Sequence, residues 1–134
     1  MVHYNWTNDK ELNYYNSDYS HQHESFKPFL KRIKSVLDEH NKTNDLFEIH
    51  LSKNDKLIGI VDGRAIEKFN NRCFVKCTIG DRDFHGQGYN IEALNIVLAH
   101  CFDEKNMHKM TTTAFDFNTS WVEGVQKLGF EQEG

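Results

Sequence analysis

Apolar residues along the chain recur with two periods, and the change from one to the other divides the sequence into elements. Phe26, Leu30, Ile33 and Leu37 fall at helical spacing. They predict a helix from about Pro28, whose fixed φ and missing N–H suit a first helical turn. Ahead of it, Asn8 and Glu11 in NDKELNYY stand at capping-box spacing and predict a short helix that begins there. The polar run from Asp38 to Asp45 ends the second helix. The period then becomes two: LFEIHLS places Phe47, Ile49 and Leu51 on one side, SKND turns the chain, and KLIGIVDG returns. RAIEKF continues or re-enters that strand, Asn70 and Asn71 turn again, and RCFVKCTIG closes an antiparallel meander.

A helical period resumes at Tyr89 and runs to about Asn106. Leu94, Val97, Leu98, Cys101 and Phe102 share one face, with His100, Glu104 and Lys105 largely outside it. KMTTTAFDF is expected to be a further strand, parallel to the one before the helix, as in an ordinary strand-helix-strand crossover. Asn118 to Leu128 predicts a last helix, with Gly129 where a C-terminal cap belongs. This order describes a single α+β domain over residues 1–134, a mixed and mainly antiparallel sheet flanked by helices.

Composition narrows the function. A formal charge of −4 lacks the basic face of a general nucleic-acid binder. No apolar run approaches the roughly 20 residues of a membrane span, and MVHYNWTNDK lacks the apolar core of a signal peptide, so a cytoplasmic protein without membrane contact is expected. Cys73 and Cys77 fall four apart in a predicted strand, on one face and without a zinc-type knuckle, and with Cys101 they read as small buried hydrophobes. His21-Gln22-His23 has no carboxylate or thiol cluster beside it in sequence and reads as a solvated loop, so no metal is expected.

The informative stretch is CTIGDRDFHGQGYNIEALNIVLAH, Cys77 to His100. A strand passing through Gly86-Gln87-Gly88 into a helix exposes unpaired N–H groups at the helix start, where the macrodipole favours an anion. That is a place for a phosphate. Taken alone the two glycines read as turn residues before anything else, Asn118 as a helix N-cap, and Leu128 and Phe130 as core.

In combination these stretches resemble the GNAT acetyltransferases, most closely the branch that acetylates ribosomal-protein N-termini and similar amines. IGDRDFHGQGYNIEAL is similar to the family's signature loop and helix, and FNTSWVEGVQKLGFEQEG looks like its second signature, an Asn followed eleven residues on by the Gly of KLGF. WTNDKELNYY and LIGIVDG resemble the weaker leading motifs. The resemblance implies acetyl-coenzyme A as co-substrate and a V-shaped splay between two central parallel strands. It implies that N–H groups of His85, Gly86, Gln87, Gly88, Tyr89 and Asn90 hold the pyrophosphate, that Cys77, Thr78 and Ile79 bond the pantetheine arm, and that Asn118 contacts it. Glycine fits because a Cβ would block the phosphate.

Departures from the family pattern shape the expected chemistry. Asp83 replaces a Gln or Arg, with Arg82 expected to offset its charge, and Asn90 takes a position often held by Gly, where it is expected to tolerate left-handed angles. Val125 stands where many relatives carry a Tyr that protonates the departing thiolate, so Val125→Tyr is expected to raise the rate. Phe74 stands where several carry a general-base Glu, leaving Asp116, Glu67 and Asp62 as candidates by strand position. The terminal strands are shortened or missing relative to the family, and an uncovered sheet edge invites a homodimer. The acceptor groove is expected near Tyr14, Tyr15, Asp18, Tyr19 and Glu24, suited to a small-molecule or peptide amine. The function implied is direct N-acetylation of a primary amine. An acyl-coenzyme A binding module without turnover is the other reading. A nucleotide-binding protein is disfavoured because no G-K-[ST] follows the loop.

Overall fold

The computed structural model describes residues 1–16, 23–39, 44–67 and 69–134. The described elements are α1 (Val2–Thr7), α2 (Lys10–Asn16), α3 (Phe26–Glu39), β1 (Asn44–His50), β2 (Leu57–Glu67), β3 (Arg72–Ile79), α4 (Tyr89–Ala99), β4 (Lys109–Thr111) and α5 (Thr119–Lys127). The strands form one sheet in chain order, β1, β2 and β3 antiparallel and β3 parallel to β4. RAIE continues β2, a single strand of 11 residues that ends at Glu67, and Phe69 lies in the turn beyond it.

Alternation along β3 sets the layers. Cys73, Val75 and Cys77 are buried while Arg72, Phe74, Lys76 and Thr78 are less so. The buried set joins Val61, Leu94, Val97, Leu98, Cys101, Met110, Trp121 and Val125 in one core beneath α4 and α5. Removing each large apolar side chain from water contributes about 1.5–3 kcal/mol. No helix among the described residues is long and apolar enough to cross a membrane.

Several elements differ from the sequence expectation. α1 has no buried residue, so no apolar period betrays it. The cap of α2 is Asp9, not Asn8: Asp9 Oδ1 accepts the N–H groups of Glu11 and Leu12 at 3.0 and 3.2 Å. Asn8 instead clasps Glu24, donating to its carbonyl at 3.0 Å and accepting its N–H at 2.9 Å. Of the α3 side chains that are described, Phe29 is buried and Ile33 half-buried, while Phe26 and Leu30 are exposed, and the Leu37 side chain lies outside the described residues. α4 passes into a π-helical turn over His100–Glu104 and ends before Asn106, which turns left-handed at φ +52°.

The largest difference lies at the fourth strand. Of KMTTTAFDF only Lys109–Thr111 is strand, paired to Arg72, Cys73 and Phe74. Beyond Phe74 the two parallel strands part, and β3 runs on to Ile79 with that side open. α5 closes with the predicted glycine: Gly129 at φ +94° lets the Phe130 and Gly129 N–H groups donate to the Val125 and Gln126 carbonyls at 3.1 and 3.0 Å.

Candidate active site

The parting of β3 and β4 opens a cleft of about 390 Å³. Cys77, Thr78 and Ile79 form one wall with the turn that follows. Glu11, Leu12 and Tyr15 of α2 lie on the cleft with Phe117, Asn118 and Trp121.

The turn is built from its first residue onward. The N–H groups of Gly80 and Asp81 both donate to the Ile58 carbonyl, at 2.9 and 3.1 Å. A Cβ on Gly80 would lie 1.9 Å from the Trp6 ring, so only glycine lets α1 sit against the end of β3. Asp81 then caps a single 3-10 turn, Arg82–Phe84, by accepting the Asp83 N–H at 3.1 Å. Lys56 pairs with Asp81 at 2.8 Å and lies 4.9 Å over the Phe84 ring. Its hydrogen bond holds the Asp81 carboxyl below the usual carboxylate range.

Gly86 and Gly88 follow at φ +69° and +83°, and Gly88 is the N-cap of α4. A Cβ at either would meet nothing within 4 Å, so the glycines answer to backbone angle and to whatever occupies the open space. Among the described residues, none accepts from the N–H groups of Gly86, Gln87, Gly88, Tyr89 or Asn90. His85 differs from expectation, because its N–H donates to the Arg82 carbonyl at 3.2 Å. Asn90 is not left-handed: it lies inside α4, and its Oδ1 accepts the Ile91 N–H at 3.0 Å.

Main-chain parity corrects the strand edge. Gly80 is hydrogen-bonded to Ile58, and the register runs unbroken from Ile79 back to Cys73, so Thr78 turns its main-chain groups to β2. The open side belongs to Cys77 and Ile79. The Ile79 carbonyl also accepts a hydrogen bond from the His85 ring at 2.7 Å, so His85 Nε2 carries the hydrogen. Cys77 turns its side chain to the core, where burial pushes the thiol up to about 12 and Sγ–H reaches the Asn90 carbonyl at 3.5 Å. A neutral, buried thiol is no nucleophile.

Asn118 starts α5 through its carbonyl, which accepts from the Trp121 and Val122 N–H groups at 3.1 and 3.2 Å. Its side chain makes no cap bond to the helix, and its Oδ1 lies 3.5 Å from the Ser120 hydroxyl. Arg82 does not offset Asp83. Its guanidinium grips Asp9 with Nη2 2.8 Å from both carboxylate oxygens, and Nη1 lies 2.5 Å from Glu11. Burial opposes ionisation of Asp9, but Arg82 and the Leu12 and Glu11 N–H groups outweigh it and hold the carboxyl below its ordinary range.

The other candidates lie elsewhere. Asp62 pairs with Arg64 at 2.9 Å, Asp116 is exposed off the cleft, and Phe74 lies on the paired stretch of β3. The Glu67 side chain, Asp18, Tyr19 and His21 are outside the described residues. Val125 is 6% exposed within the core and does not line the cleft, so a tyrosine there would meet packed side chains. Glu24 is held by Arg32 at 2.8 Å. Tyr15 does reach the cleft, within an aromatic group that sequence spacing could not reveal: Phe117 stacks on Tyr14 at 5.1 Å and on Phe115 at 5.0 Å, and Tyr15 meets it edge-on at 5.9 Å. Glu11 is the carboxylate on the cleft among the described residues.

A family model described as an acetyltransferase (GNAT) domain matches residues 1–131. Spermidine N-acetyltransferase from Vibrio cholerae, solved with CoA and spermine, superposes with a TM-score of 0.85 at 21% identity, over 98% of this chain and 74% of that one. Ribosomal-protein-S5-alanine acetyltransferase from Vibrio fischeri gives 0.82 at 21% identity, over 100% of this chain and 74% of that one. No curated protein matches in sequence. At these identities the structural likeness is one of fold.

Proposed function

The chain belongs to the GNAT acetyltransferase family, and from that premise we propose that it moves an acetyl group from acetyl-coenzyme A directly to a primary amine held against α2 and Phe117. The observation that carries this reading is the coincidence, on one cleft, of a left-handed glycine turn with unclaimed N–H groups and an open parallel strand edge. The N–H groups of Gly86, Gln87, Gly88, Tyr89 and Asn90 fit a pyrophosphate, and the helix start behind them favours its charge. The outward main-chain groups of Cys77 and the Ile79 N–H fit a chain with amides at strand spacing, the Ile79 carbonyl being already taken by the His85 ring, and Asn118 faces it from the other lip. Acetyl-coenzyme A supplies the acetyl group and leaves as the thiol.

The acceptor's ammonium must shed a proton before its nitrogen attacks. The cleft is open, and Glu11 is the carboxylate on that side. Tyr15 and Phe117 offer π faces, which attract a cation and cover the apolar part of an amine. With Cys77 buried and neutral, the transfer needs no acyl-enzyme. β1 lies at the end of the described sheet, and its outer edge is where two copies can pair.

The test is thermal shift with a thiol assay. Coenzyme A and acetyl-coenzyme A should raise the melting temperature where ATP and NAD do not, because a ligand of the native state stabilises by mass action. Free thiol should appear with at least one member of an amine and peptide panel. No shift at saturating coenzyme A would overturn the reading. A shift without thiol release from any amine would favour a binding module.

A further inference from the structure

Resting on that reading of the cleft, we propose that Arg82 is a positioning residue: it transmits cofactor binding from the glycine turn to α2, so that the acceptor wall is set once the cofactor is in place. Three observations combine. Arg82 opens the 3-10 turn that leads into the glycines, and the His85 N–H is bonded to its carbonyl, so its main chain is continuous with the candidate phosphate site. Its side chain leaves that site and crosses to α2, 73 residues away in sequence, where both oxygens of Asp9 receive it. Asp9 is the cap of α2, accepting the N–H groups of Glu11 and Leu12, and the same guanidinium touches Glu11 on the cleft. Fixing the turn therefore fixes the fork, and the fork fixes the first turn of the helix that carries Glu11 and Tyr15 into the cleft.

The geometry favours coupling over simple stability. Arg82 is 55% exposed and its partners are 22% and 65% exposed, so the pair contributes little to global folding. A guanidinium fork matched to both oxygens of one carboxylate still fixes direction, which an ammonium does not. α2 spans only 7 residues, and a helix this short depends on its cap and its tertiary contacts for order.

The experiment is hydrogen–deuterium exchange with and without coenzyme A, on the wild type, Arg82→Gln and Arg82→Lys, with acceptor and cofactor kinetics alongside. In the wild type, coenzyme A should slow exchange both at 86–90 and at Glu11 and Leu12. In Arg82→Gln, protection at 86–90 should remain while the added protection of Glu11 and Leu12 falls at least fivefold. Acceptor KM should rise severalfold, with the acetyl-coenzyme A Kd changed less than twofold. Arg82→Lys should recover only part of the α2 protection. Equal ligand-induced protection of α2 in the wild type and Arg82→Gln would overturn the coupling, as would a wild type protected at 86–90 alone. Absence of protection at 86–90 in the wild type is the distinct result that overturns the cofactor reading, and the coupling with it.

Discussion

The two walls of the cleft are made of different material. The β3 side, from Cys77 through the glycine turn to Asn90, offers main-chain groups: N–H donors and a strand edge. The α2 side, with Phe117, offers side chains: Glu11, Tyr15 and stacked rings. A main-chain wall presents the same donors whatever the neighbouring residues, so it suits the invariant part of a ligand shared by many relatives. A side-chain wall changes with every substitution, so it suits the part of the reaction that distinguishes one relative from another. On the function proposed above, specificity would fall to α2 and Phe117, and cofactor recognition to β3 and its turn.

Breaking the main-chain wall should have the largest effect. Gly86→Val combined with Gly88→Val forces β-branched residues to φ +69° and +83°, at about 1–2 kcal/mol each, and fills the space where the anion would sit. Coenzyme A affinity, measured by calorimetry, should fall at least a hundredfold, while circular dichroism reports a folded chain. Unchanged affinity would make the loop an ordinary turn.

Val125→Tyr acts on the packed layer behind both walls. The family pattern alone suggests a gain in rate, yet Val125 is packed in the core, and overfilling such a site costs about 1–3 kcal/mol. The expected result is a melting temperature lowered by several degrees and no faster turnover. A rate gain in a fully stable variant would show that the hydroxyl reaches the cleft after all.

A smaller effect should follow from thinning the side-chain wall. Tyr15→Ala with Phe117→Ala removes ring contacts worth about 0.5–1.5 kcal/mol. The acceptor KM should rise three- to tenfold, with the acetyl-coenzyme A Kd within a factor of two. If both constants moved together, the two walls would not divide the ligand as described.

The smallest effect concerns pH. The folded carboxyl of Asp9 is held below its ordinary 3.8. Its stabilising contribution is therefore complete above that value and is lost as pH falls through the lower folded value. Melting curves of the wild type and Asp9→Asn should differ slightly at pH 6, and the gap should close as the pH drops below about 3.8. A gap that persists at lower pH would assign the effect to something other than the carboxylate.

Sequence showed the main-chain wall more clearly than the side-chain wall, for a physical reason. Glycine spacing, strand alternation and the cap at Gly129 are local signals, and the turn, β3 and α5 stand where those signals put them. The resemblance names Cys77, Thr78 and Ile79 together as the edge, and only the register with β2 separates them, turning the Thr78 main chain to β2. α1 carries no apolar stripe, and β4 stops at Thr111 although β-prone residues continue. The bonds of Arg82 to Asp9 and Asn8 to Glu24 join residues that no local pattern connects. Such side-chain contacts shape the α2 wall of the cleft, and spacing along the chain carries no signal for them.

The close approach of Trp6 to Gly80 has an optical consequence. The chain contains two tryptophans; one indole lies against the glycine that begins the turn, and Trp121 lines the cleft itself. Their emission offers two built-in gauges, one behind the turn and one on the cleft. With Trp121 replaced by Phe, the remaining signal reports the surroundings of the Trp6 indole where α1 meets Gly80. With Trp6 replaced, it reports occupancy of the cleft. A titration followed on the two single-tryptophan proteins would thus time the filling of the cleft against the response of the helix behind the turn, without an added dye.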